Sequence, residues 1–428
     1  TMIPRLNQDQ ITQIHNATLI DGRGGPPIAN AALRIRDERV EAVGPANHVG
    51  PAPAGARTID ARGATLLPGL VDAHVHLMLE EADLLRMLAT PFSLNFYLAL
   101  DRMQRTLAAG VTSVRDAAGA DLGLKRAVES GLVAGPRMQI STTALSITGG
   151  HLDFWMPSGN EIDLLPSHPG LPRGICDGVD GVRAKVREVL RAGADIVKIC
   201  STGGVMSPTD HPDFAQFSPE ELAVVVSEAA ARRGVKVMAH AQGAEGVKNA
   251  VRAGVHSIEH GVYLDDEAID LMLERGTFLV PTLLAPLYVI ESGEAGANLP
   301  PGALDKAREV FDAHQDSVAR AHRAGVRIAM GTDAGVMPHG TNARELGLMV
   351  DVGMSPMEAI VASTASGAAC LGWQGQIGTL EAGALADVVV VDGDPLEDVR
   401  VLERRDAIAC VLKGGEVVAG ELGEAARA

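Results

Sequence analysis

Between residues 70 and 375 one pattern keeps returning: a short apolar run of strand type, a loop, then an Ala-rich amphipathic segment that ends near Gly. The runs at 69–76, 111–116, 137–142, 195–200, 235–240, 256–261, 277–282 and 326–333 make eight. Helices fit between them: Ala244, Val247, Ala250 and Val251 line one face before Gly254, and Met357, Ile360, Val361 and Thr364 line another after Ser355 and Pro356. Eight parallel strands with crossover helices close into an α/β structure, a (β/α)8 TIM barrel over 67–376, whose reactive face lies at the C-terminal ends of its strands. The flanks have a different texture. Residues 1–66 and 377–428 hold short strand-like runs and tight turns, such as Ala-Asp-Val-Val-Val-Val-Asp-Gly at 386–393. None buries a core alone, so both ends are expected to pair into one small composite β-sandwich domain beside the barrel.

Composition excludes several classes of function. A formal net charge of −17 with no Lys/Arg cluster argues against a nucleic-acid partner, which requires a basic face. No apolar run reaches the roughly eighteen residues that a membrane helix needs. The start, Thr-Met-Ile-Pro-Arg-Leu-Asn-Gln-Asp, has no apolar signal core, so a soluble cytoplasmic protein is the expectation. Thr1 ahead of Met2 looks like an expression remnant, which leaves a trimmed native leader open. Cys176, Cys200, Cys370 and Cys410 lie far apart with no Cys-x-x-Cys spacing, which suits reduced thiols.

The ends of the strand runs carry the chemistry. In Leu-Val-Asp-Ala-His-Val-His-Leu the apolar residues alternate with Asp72, His74 and His76, so both imidazoles project from one face of a strand. Two such nitrogens can share a cation at about 2.0–2.1 Å each. Further runs end in Ala-His240, Ile-Glu-His260 and Gly-Thr-Asp333, each at the expected active face. Lys198 sits inside Asp-Ile-Val-Lys-Ile-Cys between apolar neighbours. A buried ammonium costs several kcal/mol unless paired, and beside two divalent cations it loses its proton. A neutral amine there can capture carbon dioxide as a carbamate, an anionic ligand able to bridge two metals. The competing readings are a lysine that reaches solvent or pairs with Asp116.

These residues, with Leu-Pro-Gly-Leu-Val-Asp-Ala-His-Val-His, Ser-Thr-Gly-Gly-Val, Ala-His-Ala-Gln-Gly, Ser-Ile-Glu-His-Gly and Gly-Thr-Asp-Ala-Gly-Val, resemble the binuclear amidohydrolase superfamily, in its imidazolonepropionase-like branch. That branch includes metal-dependent dipeptidases, and the chain is also similar to bacterial ochratoxin amidohydrolases. The resemblance implies two Zn2+ held by His74, His76, carboxylated Lys198, His240, His260 and Asp333, bridged by the carbamate and a hydroxide. It also implies a homo-oligomer. Asp333 is then the catalytic proton carrier, and His151, closing a Thr-Gly-Gly-His segment, is the candidate donor to the developing oxyanion. His151 equally suits a loop histidine that holds backbone.

The scarce aromatics Phe92, Phe96, Tyr97, Phe154, Trp155, Phe214, Phe217 and Tyr263 all follow strand runs, on the side where substrate enters. They suggest an aromatic-lined mouth for a bulky amide. Phe92, Phe96 and Tyr97 equally suit packing of a helix against the barrel. Arg115, Arg173, His211 and His339 are candidate anchors for a substrate carboxylate, with His339 placed at the pocket. The expected activity is hydrolysis of N-acyl amino acids or dipeptide-like small molecules with a free carboxylate, ochratoxin A among them. A cyclic-amide hydrolase, a one-metal deaminase or a non-catalytic scaffold are the alternatives.

Overall fold

The computed structural model describes residues 10–421 except 82, 157 and 164; the expectations for residues 1–9 and 422–428 lie outside the described residues. Val-, Ile- and Ala-rich runs form strands that are buried along their whole length, as parallel strands covered on both faces must be. Leu70–Val75 pairs with Val111–Asp116, which pairs with Arg137–Ile140. A second parallel set runs Ala144–Leu145, Ile196–Cys200, Lys236–Ala241, Ser257–His260 and Phe278–Val280.

Two of the expected strands depart from regularity. The run at 137–142 breaks after Ile140, where Thr142 takes φ 63°, and resumes as Ala144–Leu145, so one stretch of chain serves both sheets. The run expected at 326–333 is not a continuous strand. It touches its neighbours through single parallel bridges, Leu279 with Ile328 and Val75 with Ala334. Backbone bonds nevertheless tie it on both sides, with Leu279 N donating to Arg327 O (2.8 Å) and Ala329 N to Leu279 O (3.0 Å) on one. On the other, Ala73 N donates to Met330 O (2.9 Å) and Asp333 N to His74 O (2.8 Å). At the end of the segment Asp333 adopts φ 64°, outside the strand region.

The intervening helices follow their caps. Pro219–Ala230 opens on a capping box between Ser218 and Glu221, with Pro219 in the first turn, where its missing N–H is no loss. Ala244–Ala253 and Asp266–Arg275 stop at Gly254 and Gly276, both left-handed, a conformation a Cβ would penalise. Their apolar stripes, among them Leu222, Val247 and Met272, join the central core.

Both chain ends enter one eight-stranded sheet, because Val388–Val391 pairs antiparallel with Thr65–Pro68. Alternation assigns the faces: Leu66, Val388, Val390 and Leu412 lie in a separate core with Ile14 and Leu33, whereas Leu67, Val389, Val391 and Val411 join the central one. Hydrogen bonding places all eight strands in this single sheet.

Gly331 lets the 326–334 segment approach. A Cβ there would lie 2.3 Å from Val280 Cγ1 and 3.0 Å from His74 Cβ. Gly331→Ala is expected to lower stability by about 1–3 kcal/mol through overpacking, where a tolerant site would gain a few tenths. Urea unfolding checks this; an unchanged or raised midpoint would show that the segment is not packed so closely.

Candidate active site

His74, His76, Lys198, His240, His260 and Asp333 come from five separate stretches of chain and line one cleft. The cleft encloses about 1240 Å³ of empty space, open solvent at its mouth included. Asp333 Oδ1 lies 3.1 Å from His76 Nε2 and 3.4 Å from His74 Nε2, and Lys198 Nζ lies 3.4 Å from that same His74 nitrogen. Ring centroids of His74 and His260 are 5.2 Å apart, and those of His240 and His260 are 4.6 Å apart. Ligand-type atoms of His74, His260 and Asp333 all fall within 4.8 Å of one another, close enough to hold one cation.

Each of the four imidazoles has one nitrogen committed to the protein. His74 Nδ1 donates to Glu259 Oε2 (2.8 Å), His76 Nδ1 to Ala118 O (2.9 Å) and His240 Nε2 to Gly203 O (3.0 Å). His260 Nδ1 donates to Thr282 Oγ1 (2.6 Å), whose own hydrogen goes to Pro281 O (2.7 Å). In a neutral ring the other nitrogen then keeps a lone pair, the arrangement by which a surrounding shell orients metal-ligating histidines; at His76 burial is outweighed by Asp333, 3.1 Å from that nitrogen, which raises the imidazole above its ordinary range. Backbone conformation contributes as well. His260 and Asp333 have φ of 71° and 64°, a left-handed geometry that costs non-glycine residues about 1–3 kcal/mol and clusters at functional sites.

Burial sets the charges. It pushes the imidazoles of His74, His240 and His260 well below their ordinary range and lowers the Lys198 amine. His151 falls to about 3 for the same reason, with Lys306 and Lys198 adding to it. Burial by itself would raise the Asp333 carboxyl, but His74, His76 and Lys198 hold it below its usual value. Lys198 neither reaches solvent nor pairs with Asp116, whose carboxylate accepts from Leu77 N (2.8 Å) and Ala120 N (3.0 Å) instead.

His151 lines the cleft, its ring stacked on that of His240 with centroids 4.1 Å apart. Of the aromatic residues expected at the mouth, Phe154 lines the cleft; the others are placed elsewhere. Phe92, Phe96 and Tyr97 belong to helix Phe92–Ala108, where Phe92 and Phe96 cluster with His168 and Tyr97 faces solvent. Trp155 and Phe214 are exposed, Phe217 is buried in the central core, and Tyr263 packs beside Val262 and Val289. The cleft wall is aliphatic instead, with Leu79, Leu152, Ile162, Leu165 and Val336. Sequence order placed these aromatics after strands, but helix facing at Phe92, Phe96 and Tyr97, and the course of the loops at the others, decide which of them looks inward.

The four anchor candidates also separate. Arg115 is fully buried against Glu259, His211 contacts Glu309 outside the cleft, and His339 sits under the backbone oxygens of His76 (3.1 Å) and Leu79 (3.2 Å). Arg173 lines the cleft, half exposed and 2.6 Å from Glu161.

Sequence reading passed over Glu259. It is wholly buried, accepting from His74, from Arg115 (2.9 Å) and from Ser257 Oγ (2.5 Å). Its neighbours are Ile258 and the candidate ligand His260, so it lacks the apolar flanks on both sides that singled out Lys198. Asp72 is wholly buried too. Burial raises it to about 6, while Asn342 (2.8 Å), Thr332 (2.7 Å) and the His74 N–H bind it, fixing the segment that carries Asp333.

Residues 65–418 match the family model described as "Amidohydrolase family". The Aspergillus niger protein named ochratoxinase is 37% identical over 98% of this chain and 89% of its own length, and its crystal structure superposes with a TM-score of 0.86 over 98% of this chain and 99% of its own. A solved Xaa-Pro dipeptidase with methionine bound in its active site is 36% identical, covering 97% of this chain and 100% of that one, with a TM-score of 0.86. An imidazolonepropionase of Cutibacterium acnes is 28% identical over 85% of this chain and 84% of its own length. The chain belongs to the amidohydrolase family. It is a hydrolase with a TIM-barrel-like, mixed α/β fold. No helix among the described residues is long and apolar enough to cross a membrane.

Glu259 faces both a cation and a site imidazole without solvent. Glu259→Gln is expected to cost about 3–5 kcal/mol, because Arg115 is left buried without its counter-charge. Adding Arg115→Met should restore part of that loss. Guanidinium unfolding of the single and double variants measures both; a neutral single variant would remove the pair from the account of the site.

Proposed function

We propose that the protein is a zinc-dependent amidohydrolase that cleaves N-acyl amino acids or dipeptide-like amides bearing a free carboxylate, with ochratoxin A, cut to ochratoxin alpha and phenylalanine, as the specific candidate. The observation that carries this reading is the meeting of six side chains, four of them imidazoles each with one nitrogen committed to the protein, in one largely aliphatic-walled cleft. In this reading the two parallel sheets and the 326–334 segment form a closed (β/α)8 barrel over 67–376, and the two chain ends form a separate β domain.

The donor set fits a binuclear centre. Imidazole nitrogens, one carboxylate and a buried lysine amine match the preferences of a borderline divalent cation. His74, His76, His240, His260 and Asp333 would hold two Zn2+, with Lys198, carboxylated, between them. When bound, the metals would polarise the scissile carbonyl and lower the pKa of the attacking water. The chain's own groups do the rest. Asp333, kept ionised by its imidazole neighbours, accepts the water's proton and returns it to the departing amine nitrogen. Leu79, Leu152, Phe154 and Ile162 exclude bulk water and hold the apolar acyl portion. Arg173 exchanges Glu161 for the substrate carboxylate, a partner swap that costs little because both ions are half exposed. A homo-oligomer is retained as part of the proposal on family likeness.

Zinc content near two per chain is expected, with loss of activity on chelation and recovery on adding zinc back. Lys198→Ala should bring the content toward one. A content near one in the unaltered enzyme would favour the one-metal deaminase reading. Screening zinc-loaded enzyme with N-acyl-Phe, N-acyl-Pro, N-acyl-Arg and ochratoxin A tests the substrate class; turnover confined to cyclic imides or amidines would refute it. Arg173→Met should raise KM for carboxylate substrates about tenfold or more and leave the matching carboxamides unchanged. Equal effects on both would discard Arg173 as the anchor.

A further inference from the structure

The loop after Ile196–Cys200 carries a circuit of hydrogen bonds that begins and ends at His151. The His151 backbone N donates to Gln216 Oε1 (3.1 Å), and Gln216 Nε2 donates to Asp210 Oδ2 (3.0 Å). Ser207 Oγ donates to Asp210 Oδ1, and the same Oγ lies 2.9 Å from His151 Nδ1. Each direction is forced. A backbone N–H can only donate, so Gln216 must turn its oxygen to His151 and its NH2 to Asp210. Asp210 sits among donors, with Gly204 N at 3.3 Å and the Lys306 ammonium at 3.9 Å, so its carboxylate accepts the single hydroxyl hydrogen of Ser207. What remains is the contact between Ser207 Oγ and His151 Nδ1, and only a hydrogen on Nδ1 can make it.

The loop is held in that shape from a distant helix. Lys306, on Ala303–Ala324, donates to the carbonyls of Gly204 (2.9 Å), Ser207 (2.5 Å) and Asp210 (3.0 Å). Gly204 has no room for a side chain, since a Cβ would lie 2.3 Å from His151 Cε1.

We propose that Asp210 is a positioning residue that acts through Ser207 to keep the hydrogen of His151 on Nδ1, so that Nε2 meets the cleft as a hydrogen-bond acceptor. A neutral ring in this state receives a hydrogen from a substrate N–H or O–H group and does not give one to an oxyanion. That revises the donor role drawn from the sequence for His151. The inference rests on the cleft being the active site, as proposed above.

The test is 15N NMR of enzyme carrying ring-labelled histidine, read without substrate, with His151 assigned by the signals lost in His151→Gln. The expected pattern is a protonated-type Nδ1 and an unprotonated-type Nε2. In Asp210→Asn an Nε2–H population should appear, because the new amide N–H donates to Ser207 and leaves the hydroxyl hydrogen to be shared between His151 and the Gly204 carbonyl at 3.4 Å. A protonated Nε2 in the unaltered enzyme, or an unchanged pattern in Asp210→Asn, would overturn the proposal. Should Asp210→Asn fail to fold, Ser207→Ala replaces it: an Nε2–H population should appear, and an unchanged pattern would be contrary. Since no turnover is involved, failure of the amide assignment shows in the substrate screen and leaves this reading to stand or fall alone.

Discussion

Three backbone hydrogen bonds, Ala73 N to Met330 O, Asp333 N to His74 O and His76 N to Ala334 O, fasten the last strand-like segment to the first. Everything at the cleft depends on that attachment. The bonds carry Asp333 Oδ1 to within 3.4 Å of both the His74 and His76 ring nitrogens across more than two hundred residues of chain. The attachment is not a regular ladder, and its irregularity has a use: at φ 64° Asp333 leaves the strand direction, and Gly331 supplies the close approach that a side chain would prevent. Asp72 reinforces the junction from below, binding Thr332 and Asn342 in a buried network that costs free energy wherever a member is left unpaired.

The same logic governs the imidazoles. A lone pair aimed into the cleft requires that the opposite nitrogen be occupied, and four different acceptors do this: a carboxylate, two backbone carbonyls and a threonine oxygen. Glu259 is the most consequential, since it orients His74 and neutralises Arg115 where water cannot screen either charge. Helix Ala303–Ala324 acts at longer range, because Lys306 clamps the loop beside Gly203, the residue that occupies His240.

Much of the site was legible because it is built from short-range pattern. His74 and His76 alternate with apolar residues, and His240, His260 and Asp333 each end an apolar run. Lys198 stood out as a charge in an apolar strand and does lie beside His74. The aromatic wall was misread because position after a strand does not say which way a side chain turns, and Phe92 and Tyr97 lie on a helix that buries Ala99, Met103 and Leu107 instead, whereas the aliphatic residues that do line the cleft look like ordinary core. Glu259, Ser207 and Asp210 were overlooked since their importance lies in what they touch.

The sequence by itself determined the strand–helix recurrence, the candidate ligands at the strand ends and the likeness to amidohydrolases, because hydrophobic periodicity and residue chemistry are local properties. It also suggested that both chain ends pair, through the valine run that meets Thr65–Pro68. Only the tertiary structure decided which nitrogen of each imidazole is committed to the protein, which of four candidate anchors reaches the cleft, and what surrounds His151. Those outcomes are set by contacts between residues far apart in the chain, where a hydrogen-bond donor meets an acceptor whose identity no spacing rule encodes.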